Sequence, residues 1–248
     1  HLPLIMGKDA DGNVSKLSKR HGATGFYDLI DEGYLPEAII NYIALLGWCP
    51  KDNQEIFTLK ELEKAFDISG ISKSPAVFDY DKLSWFNGEY IKAMTPEKFT
   101  EVAMPYYKKV FGDKQMPYEK FAAILQKRTT QLTQIPEMLD FFAELPSYTK
   151  ELFVNKKSKT NLENSPVVLK EAYDRLKAMP EWNETSIHDC LINMAVEKEL
   201  KNGTVMWPVR IAAAGKTVTP GGAVEILDIL GRDESLARLE KGMAILAE

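Results

Sequence analysis

The sequence predicts a mainly helical protein in which the short end of an α/β domain precedes the helices. An apolar, strand-like run at positions 2–6 leads into a turn-rich segment at 7–13. From residue 27 onward, apolar residues recur three and four positions apart, as they do along helices that bury one face. Hydrophobic residues make up 45% of the 248 positions, which is enough for packed cores.

Local start and stop signals place several of these helices. Pro36 fits the first turn of a helix that Gly47 ends, and Thr58 with Glu61 forms a capping box for the next one. Pro75 is expected to begin a further short helix. These signals predict short helices joined by short loops.

Further boundaries come from proline, serine and an asparagine–glycine pair. Asn87-Gly88 predicts a turn after an apolar anchor, and Pro105 is expected to kink or break the helix around it. Ser165 with Pro166 opens a later helix, and Ser186 is expected to cap the one after that.

Composition excludes several classes of protein. The net charge of −5 argues against a protein that coats nucleic acid without specificity, although clusters such as Lys156, Lys157 and Lys159 allow local basic patches. No apolar run reaches the roughly 18 residues that cross a membrane, and no signal peptide is recognised. Cys49 and Cys190 are far apart, so we expect neither a disulfide nor a zinc site, and a reducing cytoplasm is the predicted compartment. Because the chain starts on a strand-like segment without an initiator methionine, we expect it to be a piece of a longer protein.

A short basic loop stands between the strand-like start and the helices. Two lysines and an arginine fall within Lys16-Leu17-Ser18-Lys19-Arg20, with Gly12 before them and Gly22 after. Glycine lets the backbone turn sharply, and cationic side chains on such a loop suit a polyphosphate. The alternative is a solvated basic loop without a ligand. His21, directly after the loop, is a candidate contact to a nucleotide.

Several short blocks occur in an order that is typical of one enzyme family. The loop reads K-L-S-K-R and continues with His-Gly-Ala at 21–23. Further blocks follow along most of the chain, at 33–38, 41–48, 72–79, 85–88, 208–210 and 219–221. This series resembles the class I aminoacyl-tRNA synthetases, whose second signature loop is K-[ML]-S-K-[SR], and in its details the glutamyl-tRNA synthetases.

The resemblance implies an order of domains. Residues 1–25 would end a Rossmann-type α/β catalytic domain and carry its signature loop. Residues 26–94 would form a helical connector that supports the inner side of the tRNA, and 95–158 and 159–248 would be two helical anticodon-binding subdomains. The implied fold class is mainly α: the short end of an α/β catalytic domain, an all-helical connector and an all-helical anticodon-binding domain.

The resemblance also implies the chemistry. Such enzymes use ATP and Mg²⁺ to convert glutamate into glutamyl-adenylate, which they transfer to the 3′ end of tRNA. Lys19 would stabilise charge on the triphosphate, with Lys16 and Arg20 assisting, and the Ser18 hydroxyl would position the loop. Lys16 and Lys19 would thereby contact ATP. The family's first signature and its glutamate pocket lie outside this sequence, so the chain is expected to bind tRNA without activating glutamate or holding a cofactor tightly.

A second site is predicted near the end of the chain. Trp207-Pro208-Val209-Arg210 places an aromatic ring and an arginine on a segment stiffened by proline, and unpaired RNA is read by such groups. The resemblance places Arg210 at the family's anticodon-contacting Pro-Leu-Arg, with Val209 in place of leucine. It matches Arg128 with another arginine of the anticodon-binding region. The alternative for an isolated arginine on a helix is a structural role.

Two sequence patterns that could suggest a ligand site are not interpreted as one. Gly215-Lys216-Thr217 lacks the first glycine of a phosphate-binding P-loop, because Arg210 occupies that position. The histidines His1, His21 and His188 share no metal-like spacing, so no metal ligand is predicted.

The resemblance therefore implies the tRNA-binding part of an enzyme that joins glutamate to tRNA. The expected partner is tRNA(Glu), with tRNA(Gln) as a further candidate, and the chain is expected to be a monomer that binds no membrane. Two alternatives stay open. A glutaminyl-tRNA synthetase would read the anticodon with β-barrels, which the helical pattern after residue 95 opposes. A non-catalytic helical scaffold would use the basic patches for protein partners.

Overall fold

Two units make up the structure. The computed structural model describes residues 4–9, 11–18, 21–22 and 25–248. The first unit comprises residues 1–106 with 126–135, and the second comprises 107–125 with 136–248. Within these described ranges no helix is long and apolar enough to span a membrane.

A three-stranded sheet forms the start of the first unit, as far as the chain is described. Its strands are β1 (Ile5–Lys8), β2 (Val14–Lys16) and β3 (Ala76–Phe78), in the order β2-β1-β3. β2 runs antiparallel to β1 and pairs Ser15 with Gly7, whereas β3 runs parallel to β1 and pairs Phe78 with Gly7. The helix expected from Pro75 is therefore wrong. Val77 and Phe78 suit a pleated sheet, and β1 supplies the backbone partners that no local pattern could show.

Buried apolar side chains join this sheet to the helices of the first unit. The rings of Phe78 and Tyr42 meet edge to face with centroids 5.1 Å apart, and the Tyr42 hydroxyl accepts a 2.6 Å hydrogen bond from the Asp79 backbone N–H. Burial raises the pKa of Tyr42 to about 12, so its hydroxyl keeps its proton at neutral pH. The helices that begin in this unit are α1 (Phe26–Asp31), α2 (Pro36–Leu45), α3 (Leu59–Ala65), α4 (Tyr80–Ala93), α5 (Pro96–Phe111) and α7 (Ile135–Ala143).

Local signals fix some helix ends and fail at others. The predicted capping box begins α3, because Glu61 N–H donates to Thr58 Oγ1 at 3.3 Å and Thr58 N–H donates to Glu61 Oε2 at 2.7 Å. Of the kink or break expected at Pro105, the break does not occur: α5 runs through this residue, which lies on the exposed side where water can satisfy the unpaired carbonyl. The predicted cap at Ser186 is wrong, since Asn183 caps the next helix by accepting the Ser186 N–H at 2.9 Å.

Asn87 is a buried polar junction of the first unit. The expected turn at Asn87-Gly88 is wrong, because both residues lie inside α4. The Asn87 Oδ1 accepts the Leu35 N–H at 2.8 Å, and its Nδ2 donates to the carbonyls of Thr130 at 2.6 Å and Gly33 at 3.3 Å. One carboxamide therefore ties α4 to the start of α2 and to the returning segment 126–135.

The second unit is built around a central helix, α10 (Asn202–Ala214). This helix packs against four others, which are α8 (Ser165–Ala178), α9 (Glu184–Glu197), α11 (Ala223–Leu230) and α12 (Arg232–Ala247). Gly242 of α12 approaches it so closely that a Cβ there would lie 2.6 Å from the Ala212 Cβ, so small residues permit the contact. A further helix of this unit is α6 (Tyr118–Leu125).

Asn87→Ala should destabilise the first unit by about 2–4 kcal/mol, because a buried N–H and two carbonyls lose a partner at once. Lys92→Ala, an exposed change on the same helix, should cost less than about 0.5 kcal/mol. Hydrogen exchange during a urea titration, resolved into peptides of each unit, measures both effects. Equal stability of the two variants would contradict the role assigned to Asn87.

Candidate phosphate-binding loop and nucleic-acid interface

The basic loop follows a hairpin that β1 and β2 form. Asp9 closes the turn between them: its Oδ1 accepts the N–H of Asp11 at 3.1 Å and of Asn13 at 2.8 Å. The hydrogen bond from the Asn13 backbone lowers the pKa of the Asp9 carboxyl. Gly12 adopts a φ of +86°, which favours glycine. The turn fixes the strand register and with it the point where the loop begins.

Lys8 and Lys16 share one face of this hairpin. Lys16 pairs with Met6, and Lys8 lies two residues beyond Met6 on the same side of β1. Both lysines are exposed. Lys8 was not among the predicted site residues, because its position beside Lys16 depends on the register of the two strands.

Ser18 and His21 are joined by reciprocal hydrogen bonds. The Ser18 N–H donates to His21 Nδ1 at 3.0 Å, and the His21 N–H donates to the Ser18 carbonyl at 2.9 Å. The imidazole is buried, with Nε2 3.1 Å from the Ser15 Oγ. Both ring nitrogens therefore have partners within the hairpin. Lys19 and Arg20, two of the predicted catalytic residues, lie outside the described residues.

A groove of about 930 Å³ lies in the second unit, among the beginnings of α9, α10 and α11. Helix N-termini carry unpaired N–H groups and a partial positive charge, which suits a polyanion. The residues that line the groove are Lys157, Ser158, Glu184, Thr185, His188, Gly203, Met206, Trp207, Arg210 and 222–225.

Trp207 and Arg210 form a stacked pair on α10. The Arg210 Cζ lies 4.6 Å from the centroid of the Trp207 ring. Trp207 Nε1 donates to the Leu152 carbonyl at 3.0 Å, and Arg210 Nη2 donates to the Thr217 carbonyl at 2.9 Å. The expected proline-stiffened segment is a helix instead, because Pro208 lies inside α10. The pair therefore faces the groove in a fixed orientation, with a planar cation over an indole.

The Gly215-Lys216-Thr217 segment ends α10 and contacts both Arg210 and Asp140. Gly215 ends α10 with a φ of +64°. Lys216 Nζ donates to the Asp140 carboxylate, with 2.7 Å to Oδ2. Thr217 supplies the carbonyl that fixes Arg210. The residues that resemble part of a P-loop therefore have structural partners.

Arg128 and Lys157 lie in places that the sequence did not indicate. Arg128 is exposed in the turn after α6 and belongs to the first unit. Lys157 lines the groove together with Arg210 in the second unit. Its segment is held near α10 by Thr204, whose hydroxyl donates to the Ser158 carbonyl at 2.7 Å. That contact is distant in sequence, so the lysine cluster alone could not single out Lys157.

The residues that line the groove lie within a range of the chain that matches a known protein family. A family model described as an anticodon binding domain matches residues 98–243, more than half of the chain. The chain belongs to this family. A second model, described as the catalytic domain of class I tRNA synthetases (E and Q), matches residues 6–85, which contain the hairpin and the basic loop.

Members of one enzyme group match the chain along its length. The glutamate–tRNA ligase of Clostridium kluyveri is 51% identical over 243 residues, which cover 98% of this chain and 49% of that protein. The glutamate–tRNA ligase of Clostridium tetani is 49% identical with the same coverage. The chain spans about half the length of these curated relatives.

Solved structures agree with the sequence relatives. The glutamate tRNA ligase of Elizabethkingia meningosepticum matches with a TM-score of 0.81 at 28% identity, covering 99% of this chain and 51% of that one. The glutamate-tRNA synthetase of Elizabethkingia anophelis matches with a TM-score of 0.80 at 27% identity, covering 98% and 50%. These findings confirm the predicted fold class and the resemblance to glutamyl- rather than glutaminyl-tRNA synthetases.

Gly215→Ala should destabilise the second unit more than Gly112→Ala does, although both glycines follow helices with φ near +60°. A Cβ at Gly215 would lie 2.9 Å from the Tyr148 ring, whereas a Cβ at Gly112 has no neighbour within 4 Å. We expect about 1–2 kcal/mol at each site for the backbone and about 1–3 kcal/mol more at Gly215 for crowding.

Urea unfolding of the two variants, followed by hydrogen exchange in peptides of the second unit, measures the difference. An equal loss of stability would show that Gly215 is not sterically required where α10 ends.

Proposed function

We propose that this chain is the tRNA-binding part of a glutamate–tRNA ligase and that the groove beside α10 reads the anticodon. The observation that carries this is the fixed Trp207–Arg210 pair on a groove in the region matched by the anticodon binding family. The parent enzyme would attach glutamate to tRNA(Glu) through glutamyl-adenylate. The relatives' name, glutamate–tRNA ligase, supports that activity.

The composition of the groove suits unpaired bases better than a duplex. Bases splayed from an RNA loop stack on aromatic or guanidinium planes and are read at their edges. Arg210 and Lys157 supply positive charge there, but Glu184 and Glu225 line the same groove. A carboxylate repels phosphate and can accept a hydrogen bond from a base amino group. The mixed charge therefore favours contacts to base edges over uniform binding of the RNA backbone.

The basic loop would act on the triphosphate of ATP in the parent enzyme. Lys19 would stabilise the charge that develops as the glutamate carboxylate attacks the α-phosphate and pyrophosphate leaves. Lys16 and Arg20 would assist, and the Ser18 hydroxyl would position the loop. Lys8 would add to the positive field, because it shares a hairpin face with Lys16. Positioning and electrostatics suffice for this step, so no side chain has to act as a nucleophile.

Mg²⁺ would accompany ATP on its phosphate oxygens, the arrangement that this ion commonly adopts. The described part of the chain holds no group of three or more His, Cys, Asp or Glu side chains placed to bind a metal. We therefore expect Mg²⁺ to enter with the nucleotide and not to occupy a site of its own in this chain.

The domain bounds, the role of Arg128, the oligomeric state and the compartment belong to the same proposal. Residues 1–25 would end the catalytic domain, 26–94 would form the connector, and 95–158 and 159–248 would be the anticodon-binding subdomains. Arg128 would contact the third anticodon base and so influence whether tRNA(Gln) is also accepted. The chain would act as a monomer in the cytoplasm.

Arg210→Ala should weaken binding of tRNA(Glu) by about 5- to 150-fold, because a base contact of this kind contributes about 1–3 kcal/mol. Arg232→Ala is the matched control: its guanidinium likewise donates to a backbone carbonyl, that of Lys177 at 2.6 Å, and it does not line the groove. The control should change affinity less than about twofold. Fluorescence anisotropy with tRNA(Glu) and with the same tRNA carrying an altered anticodon measures both variants.

The salt dependence and the altered anticodon separate this proposal from a helical scaffold. An anticodon reader loses affinity when the anticodon changes, and Arg210→Ala should abolish that preference. Affinity should also fall steeply with salt, because phosphate contacts release counterions. Equal, weak binding of both tRNAs by the unmodified chain would refute the proposal.

The 248-residue chain alone should show no exchange of pyrophosphate into ATP with glutamate. It spans about half the length of its relatives, and its match to the catalytic-domain model is confined to residues 6–85. Measurable exchange by the purified chain would overturn this prediction.

A further inference from the structure

We propose that His21 is the positioning residue of the basic loop, and that it acts by closing a clamp between the two residues that flank Lys19 and Arg20. Ser18 precedes these two cations in the chain and His21 follows them. The reciprocal hydrogen bonds between Ser18 and His21 join the flanking positions directly. This inference rests on the proposed role of the loop at the triphosphate.

The hydrogen bond from the Ser18 N–H favours one tautomer of the His21 ring. The Ser18 N–H points at Nδ1 at 3.0 Å, so Nδ1 must offer a lone pair. In the neutral imidazole the proton is then on Nε2, which can donate to the Ser15 Oγ at 3.1 Å. Nδ1 also lies 3.1 Å from the Ser18 Oγ, whose hydroxyl can donate to it, and 3.1 Å from the Ser18 carbonyl oxygen, which accepts the His21 N–H at 2.9 Å. Ser18 and His21 therefore each accept a hydrogen bond from the backbone N–H of the other.

The hairpin is shaped to receive this ring. A Cβ at Gly7 would lie 2.6 Å from the His21 Cγ, so the imidazole packs directly on the β1 backbone. Gly7 and Ser15 are paired across β1 and β2 and share one face, whereas Lys8 and Lys16 occupy the opposite face. The hairpin thus anchors the clamp on one side and presents lysines on the other. A solvated surface loop needs neither the glycine nor the buried ring.

Two substitutions separate the clamp from the rest of the packing. In His21→Asn the side-chain oxygen can take the place of Nδ1 and accept the Ser18 N–H. In His21→Gln the amide reaches the place of Nε2 and can bond Ser15, but the acceptor for Ser18 is lost. The Asn variant keeps the bond to Ser18 and loses the bond to Ser15, whereas the Gln variant does the reverse, so their comparison separates the two hydrogen bonds of the ring.

The test is NMR of the full 248-residue chain in three forms: unmodified, His21→Asn and His21→Gln. Amide exchange of Ser18 should be at least tenfold faster in the Gln variant than in the other two. The imidazole of the unmodified chain should show the Nε2–H tautomer in nitrogen-detected spectra. Titration with MgATP, followed at the amides of Lys16 and Ser18, should give an affinity at least fivefold weaker in the Gln variant, with the Asn variant close to the unmodified chain.

Each other outcome overturns a defined part of the proposal. Equal Ser18 exchange in all three forms would refute the clamp. Faster exchange in the Gln variant with unchanged MgATP affinity would refute the positioning role. An absence of MgATP-induced shifts in the unmodified chain, even at millimolar MgATP, would refute the positioning of a triphosphate by this loop within the 248-residue chain, while the exchange data would still report on the clamp.

Discussion

The second unit depends on one buried guanidinium, that of Arg238. Its Nη1 donates to the carbonyls of Phe141 at 2.7 Å and Ala213 at 2.8 Å, and its Nε donates to Glu234 at 2.6 Å. The side chain is only 4% exposed, and a buried charge is costly unless such bonds compensate it. These contacts tie α12 to α7 and to the last turn of α10. They hold the last turn of α10 directly before Gly215, at which the helix ends.

The end of α10 determines how the groove presents its cation. Gly215 turns the chain out of the helix, and two residues later the Thr217 carbonyl reaches back to Arg210. Trp207, nearer the start of the helix, is fixed by the Leu152 carbonyl. The stacked pair is therefore held at both members by backbone carbonyls from outside the helix. Rotamers that are fixed before binding lose little entropy when a ligand binds, so in the proposed function this arrangement would support discrimination between bases.

The sequence predicts well those features whose cause is local. The capping box at Thr58 and Glu61 and the helix start at Ser165 depend on neighbouring residues, and both are confirmed. Features with distant causes were mispredicted. Residues 76–78 form a strand because β1 pairs with them, and Asn87 continues a helix because its amide bonds Leu35 and Thr130.

The candidate sites divide in the same way. Short sequence motifs predicted the basic loop and Arg210 as site residues, since each motif is contiguous in the chain. They could not indicate that Lys157 and Arg210 line one groove, because residues far apart in sequence form that groove. They also offered His21 as a nucleotide contact, since a motif records adjacency but not the direction of a side chain. The hairpin register, which brings Ser15 and Gly7 beside the ring, supplies the missing information.

The two sites differ in how their cations are supported, and the difference suits two kinds of task. The groove side chains rest on bonds to several distant segments of a helical unit, an arrangement that selects one geometry. The loop is supported at Ser18 and His21 by a small hairpin and one imidazole. In the proposed function, the hydrogen bonds of Ser18 and His21 would hold these two positions while the nucleotide binds and pyrophosphate leaves. Support of the groove side chains from several segments would favour recognition of a bound base, whereas support of the loop from one hairpin would suit charge stabilisation on the triphosphate.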